Sequence, residues 1–200
     1  MYSVHPSIAY IQAILNNLQK STGKSLEEWL DILSKTDINS QQEIRSYLKK
    51  DFALGHTTAG LLAEYALQPA TLEEVRDYLK IAPHYVEKLY SGSKKQLRPL
   101  HDSLVSLALS LYPTLKISPC KTIVPFYRNH VIAQIKPSSR TRLDFGLCFK
   151  NSGGIHSERL IETGGLAKGD RITHKIEIYS MSDINQEVTQ LLKLAYELDA

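Results

Sequence analysis

Seven basic or titratable side chains fall within one stretch of the chain: Lys121, Arg128, Lys136, Arg140, Arg142, His174 and Lys175. Arginine forks match phosphate and carboxylate oxygens through two parallel hydrogen bonds, and lysine adds a mobile point charge. Ser138 and Ser139 bring hydroxyls beside Arg140. Tyr127 and Tyr179 offer flat faces on which bases stack. These residues are expected to form an anion-binding surface, for DNA or RNA or for an anionic small ligand. The plain alternative is that Asp144 and Glu177 neutralise the same cations across strands.

The charge distribution agrees with a basic C-terminal region. Residues 1–90 hold 9 Lys and Arg against 11 Asp and Glu, a net of −2. Residues 91–200 hold 15 against 10, a net of +5, and 116–175 alone hold 11 against 4, a net of +7. Such a concentration is what an anionic partner needs, although surface charge by itself specifies no ligand.

Catalytic patterns are scarce. Gln134-Ile135-Lys136 has the form of a nuclease half-motif, but the preceding strand region offers Lys121, Thr122, Pro125 and Tyr127 rather than a metal-binding carboxylate. The seven histidines and two cysteines show no zinc spacing, and Gly164-Gly165-x-x-Lys168-Gly169 departs from the phosphate-loop pattern. No cofactor, metal or catalytic set is expected. Cys120 and Cys148 are expected to be buried structural thiols rather than a disulfide. The first residues show no secretory signal, and no apolar run is long enough to span a bilayer, so a soluble, cytoplasmic, bacterial-type protein is expected.

The elements that must carry these residues change in kind along the chain. Ile8, Ile11, Leu15 and Leu18 recur at helical spacing up to Gly23. Ser25-x-x-Glu28, Ser40-x-x-Glu43 and Thr71-x-x-Glu74 each have the form of a capping box before an apolar run. Pro69 and Pro83 are expected to interrupt or end helices. Residues 52–62 have the outline of two helices joined at Gly55, either an ordinary corner or a phosphate-facing turn with Ala53 in place of a second glycine.

From Lys94 onward the pattern predicts a helix through Leu97, Leu100, Leu104, Leu107 and Leu111. Strands are expected at 122–127 and 131–135, joined at Arg128-Asn129-His130, then at 141–149 and 171–179. Alternation puts Leu143, Phe145, Leu147 and Phe149 on one face, with Arg142, Asp144, Cys148 and Lys150 on the other. In the last strand Ile172, Ile176 and Ile178 point inward, Lys175, Glu177 and Tyr179 outward, and His174 is placed near the sheet edge. A helix capped by Ser182 closes the chain. The glycine-rich run 151–170 is expected to be a flexible flap.

Two stretches resemble known families. Thr22-Gly23-Lys24-Ser25-Leu26-Glu27-Glu28-Trp29, with Glu43-Ile44 and Leu54-Gly55-His56, resembles the helical domain of unknown function 4287. Lys121-Thr122, the run from Pro137 to Leu147, Arg159-Leu160 and Thr173-His174-Lys175 resemble domain of unknown function 5655. The second domain often follows the first, and some members carry the loose label "predicted transport protein". The resemblance implies no established activity. The C-terminal layout is also similar to the small YjbR/MmcQ-like proteins, some regarded as DNA-binding, an analogy of fold alone.

The expected fold is α+β. Residues 1–83 form a helical module, and residues 84–200 form a four-stranded antiparallel meander flanked by two helices. The expected function is non-enzymatic binding, of nucleic acid first, with an anionic small ligand or a protein–protein adaptor role as rivals.

Overall fold

The computed structural model describes residues 2–149 and 157–200. It divides into a helical unit, His5–Tyr78, and an α+β unit formed by Met1–Val4 with Leu79–Ala200. Among the described residues no helix is long and apolar enough to cross a membrane.

The helical unit holds α1 (Pro6–Thr22), α2 (Leu26–Ser34), α3 (Gln41–Phe52), α4 (His56–Leu67) and α5 (Pro69–Arg76). Its core gathers Leu18, Trp29, Ile44, Leu48, Leu62 and Tyr65. Gly23 ends α1 in the left-handed conformation, at φ 77°. Ser25 then opens α2 with a complete capping box: its hydroxyl accepts from the Glu28 amide, and the Glu28 carboxylate accepts from the Ser25 amide. The Trp29 indole N–H donates to Thr22 Oγ1 at 2.9 Å, and Phe52 meets the Trp29 ring edge-on at 5.1 Å. The residues that carry the first resemblance therefore build a helix–helix joint.

The second box is half formed. Ser40 accepts from the Glu43 amide, but its hydroxyl donates to the Glu43 carboxylate, so the carboxylate binds the capping side chain. The third is absent. Pro69 starts α5 two residues earlier, Thr71 lies inside it, and the Thr71 hydroxyl donates back to the Gln68 carbonyl. Proline fits a first helical turn, where the missing N–H costs nothing. Pro69 does mark the break between α4 and α5, as expected, whereas Pro83 ends no helix and sits within α6 (Tyr78–Leu89). Pro83 has no amide proton to offer the turn before it, so α6 runs on with one backbone hydrogen bond fewer.

At the corner between α3 and α4 the left-handed residue is Ala53, at φ 54°, and Gly55 keeps an ordinary φ of −62°. Ala53 is the one non-glycine with positive φ among the described residues. A left-handed alanine costs roughly 1–2 kcal/mol, partly offset by the chain entropy that glycine would lose. Ala53→Gly is therefore expected to stabilise the helical unit by about 0.5–1 kcal/mol. A urea midpoint that falls in this variant would overturn the strain argument.

In the α+β unit, α6 and a 3₁₀ turn, Gly92–Leu97, lead into α7 (Arg98–Leu111). Then come β1 (Lys116–Ile117), β2 (Val124–Tyr127), β3 (Val131–Pro137), β4 (Leu143–Leu147), β5 (Ile161–Glu162), β6 (His174–Ile178) and α8 (Gln186–Glu197). The sheet has six strands rather than the expected four, in the order β1-β2-β3-β4-β6-β5, all antiparallel. The additions, β1 and β5, are two residues long and carry no alternation to read. Val124, Phe126, Ile135, Phe145 and Ile176 face a core closed by Leu100 and Leu104 of α7 and Val188 and Leu192 of α8. Asn185, not Ser182, caps α8, and Ser180 caps the 3₁₀ turn Met181–Asp183 before it. Cys148 is buried as expected, Cys120 is half-buried, and both cysteines are free.

Residues 150–156, including Lys150 and part of the expected 151–170 flap, lie outside the described residues. The rest of that run is built rather than slack. It holds β5 and a 3₁₀ turn, Leu166–Lys168, and Arg159 bonds Asn185, Glu187 and the Asp183 carbonyl. Near the other end of the sheet, Asp199 accepts from the Asn129 and His130 amides, His130 Nδ1 and Arg171, tying the β2–β3 hairpin to the segment after α8. Burial opposes the Asp199 charge, but these bonds outweigh it and hold its pKa down.

One polar pair lies inside the core. His101 of α7 is fully buried, with Nδ1 3.1 Å from the Tyr90 hydroxyl and Nε2 without a partner. Burial lowers its pKa to about 4 and raises that of Tyr90. At the sheet edge, the Ser3 amide donates to the Ile117 carbonyl at 2.8 Å, so residues ahead of the helical unit cover β1.

Candidate anion-binding groove

Four lysines reach one groove of the α+β unit from four places in the chain. Lys88 comes from the last turn of α6, Lys94 from the 3₁₀ turn, Lys121 from the loop before β2, and Lys136 from β3. Ser91, Ser93, Thr122 and Ser138 add hydroxyls to the walls, and no acidic side chain lines it among the described residues. The groove is open and has a volume of about 540 Å³. Its two sides are joined by hydrogen bonds. Lys94 Nζ donates to the Pro137 carbonyl at 2.6 Å, and Gln96 Nε2 donates to the Arg140 carbonyl at 2.9 Å. The 3₁₀ turn is thus held against the β3–β4 turn, which keeps the lysines near one another.

The outward face of the sheet has a different electrostatic character. Strand register places Lys136, Asp144 and Glu177 in one row. Arg142 reaches Asp144 and Glu177, each at 2.9 Å. The Asp144 contact is an ion pair rather than an aligned hydrogen bond, since neither Arg142 Nε nor Asp144 Oδ1 has a well-directed partner. Lys175 reaches Asp144 at 3.1 Å and Glu177 at 3.0 Å, and the Tyr179 hydroxyl donates to Glu177 at 2.7 Å. Hydrogen bonds from Tyr179, then Lys175, hold the Glu177 pKa down. Burial works against the Lys175 charge, and its bonds to Glu177 and Asp144 leave its pKa raised. Two cations and two carboxylates close on each other here, leaving no net charge for an external anion.

Residues 86–199 match the family model described as Domain of unknown function (DUF5655). The chain belongs to the DUF5655 family. Residues 11–68 match the model described as Domain of unknown function (DUF4287). No curated protein matches the chain, and no solved structure does. The DUF5655 region contains every residue of the groove and of the ion-pair network.

Of the seven basic residues singled out in the sequence, the DUF5655 unit brings Lys121 and Lys136 into the groove and Arg142 and Lys175 into the network. Arg140 is exposed on the β3–β4 turn whose backbone forms one side of the groove. Arg128 sits at the other end of β3. Its Nη1 donates to the Tyr196 carbonyl, and its guanidinium lies 4.3 Å from the Tyr196 ring, which stacks on Tyr112. It therefore clamps α8. His174 is not at the sheet edge. It pairs with Leu147 on one side and Glu162 on the other, on the face opposite Lys175, with Nδ1 2.9 Å from Thr173 Oγ1.

The groove residues that sequence reading missed are Lys88, Ser91, Ser93 and Lys94. The run Ser91-Gly92-Ser93-Lys94-Lys95 directly after an apolar helix was the available signal. No group of three His, Cys, Asp or Glu side chains able to hold a metal ion occurs among the described residues.

Proposed function

We propose that this protein is a non-enzymatic binding protein whose DUF5655 unit takes nucleic acid in the lysine groove. The observation that carries the reading is four lysines around one groove with no carboxylate among the described residues that line it. Each lysine that meets a phosphate releases condensed counterions, so binding draws on a salt-sensitive driving force. The ion-paired sheet face is left out of this reading because its charge is already matched. A YjbR/MmcQ-like layout is part of the same proposal, and some of those proteins are regarded as DNA-binding, which is an analogy of fold only. A cytoplasmic, bacterial setting belongs to the same proposal, in keeping with two free thiols. A second reading, an anionic small ligand, is favoured by the groove's size, which falls in the range of small-molecule sites.

The test is fluorescence anisotropy of the full chain with labelled DNA and RNA at low and physiological salt. Salt-sensitive binding is expected, weakened about tenfold or more at low salt by Lys121→Glu with Lys136→Glu. Absence of binding at low salt would overturn the nucleic-acid reading. A phosphorylated small molecule that raises the melting temperature saturably would establish the second one.

A further inference from the structure

We infer that the groove grips the phosphate backbone of a single strand and leaves its bases unread. This inference rests on the nucleic-acid reading above and specifies its ligand. Base recognition needs particular groups: a planar fork or carboxamide for a bidentate pair, a carboxylate for an exocyclic amine, or an aromatic face for stacking. Among the described residues none of these lines the groove. Its ionic groups are all lysines, compact charges suited to phosphate and poorly suited to planar base edges. Its apolar walls, Leu89 and Pro137, offer no flat ring to a base.

Shape selects the single strand. A duplex is a stiff rod over tens of base pairs and cannot fold into a concavity. The groove volume of about 540 Å³ suits a short stretch of flexible backbone. Lys94 is anchored on the Pro137 carbonyl, so part of this charge is fixed in place before the ligand arrives. The remaining lysines converge from α6, from β3 and from the loop before β2, which lets successive phosphates meet separate cations.

The experiment compares labelled homopolymers of dT, dA, dC and U, each about 20 nucleotides, with a duplex of the same length, using the full chain. Affinities are expected to agree within about threefold across the homopolymers, with the duplex at least about tenfold weaker. Inorganic polyphosphate is expected to displace the strand. The slope of log K against log salt is expected near −3, from about 0.7 per lysine, and to halve to about −1.5 in Lys121→Ala with Lys136→Ala. A spread above about tenfold among homopolymers, duplex binding as tight as single-strand binding, or failure of polyphosphate to compete overturns the inference while the nucleic-acid reading stands. A double variant that melts like wild type and binds with an unchanged slope overturns both. So does the absence of binding to every strand.

Discussion

Gly165→Ala is expected to cost the α+β unit about 3 kcal/mol and to unseat the segment after β5. A Cβ at this position would lie 2.2 Å from the Ile172 carbonyl oxygen and 3.2 Å from its carbon, both backbone atoms that cannot rotate aside. The surrounding bonds leave no slack. The Gly165 amide donates to Thr163 Oγ1, and the Thr163 hydroxyl donates to the same Ile172 carbonyl. The Gly165 carbonyl accepts from both Lys168 and Asp170. Displacing Ile172 would also disturb the sheet, because its side chain fills the space over Gly146, where a Cβ would sit 2.7 Å from Ile172 Cγ2. Gly146→Ala meets side chains only, so its expected cost is smaller, about 1–2 kcal/mol. Thermal melts and amide exchange across 163–172 measure both. A Gly165→Ala protein with wild-type melting temperature and exchange would falsify this account of the segment.

Acidification from pH 6.5 to 4 is expected to remove about 3 kcal/mol from the α+β unit through His101 alone. The group is neutral when folded, because burial lowers its pKa to about 4 from the ordinary 6.5. Of the nearby charges, Asp102 raises its pKa and Arg98 lowers it, and neither outweighs burial. The unfolded chain therefore binds a proton that the folded chain refuses. Stability is full well above pH 6.5, falls as the pH drops, and has lost most of this contribution by pH 4. The carboxylates of Glu177, Asp183, Glu187 and Asp199 have lowered pKa values, so their losses come at more acid pH. His5 of the helical unit is also lowered by burial and adds a slope of the same sign. His101→Leu combined with Tyr90→Phe leaves neither partner of the pair stranded. It is expected to flatten urea stability between pH 6.5 and 4.5, and an unchanged profile would reassign the effect.

Local chemistry was legible in the sequence wherever neighbours in the chain decide it. The α2 capping box and the left-handed Gly23 depend on contacts a few residues apart. The alternation of β4 is legible because Leu143, Phe145 and Leu147 share the core face, although Ile172 also covers Gly146 on the other face. Thr71 misled because Pro69, two positions earlier, is the stronger helix start. Ala53 hid the left-handed corner because side-chain type points to Gly55. β1 and β5 are too short to carry a period, and only their neighbours make them strands. The groove was half visible: Lys121 and Lys136 stand out, but Lys88 and Lys94 join them through the docking of a 3₁₀ turn on a β-turn. The charge count that drew attention to Arg142 and Lys175 could not show that Asp144 and Glu177 already satisfy them.

The hydrogen bond from Ser3 to Ile117 also has a consequence in time. Residues 2–4 are made before the helical unit, yet their partner strand follows it in the chain. Helices capped by near neighbours form from local contacts, so the helical unit can fold while residues 2–4 still wait. Once compact, it shortens the span of flexible chain that must be closed to bring Ser3 to β1, which lowers the entropic barrier to that late step. Disturbing the helical unit is therefore expected to slow completion of a sheet to which it contributes no strand.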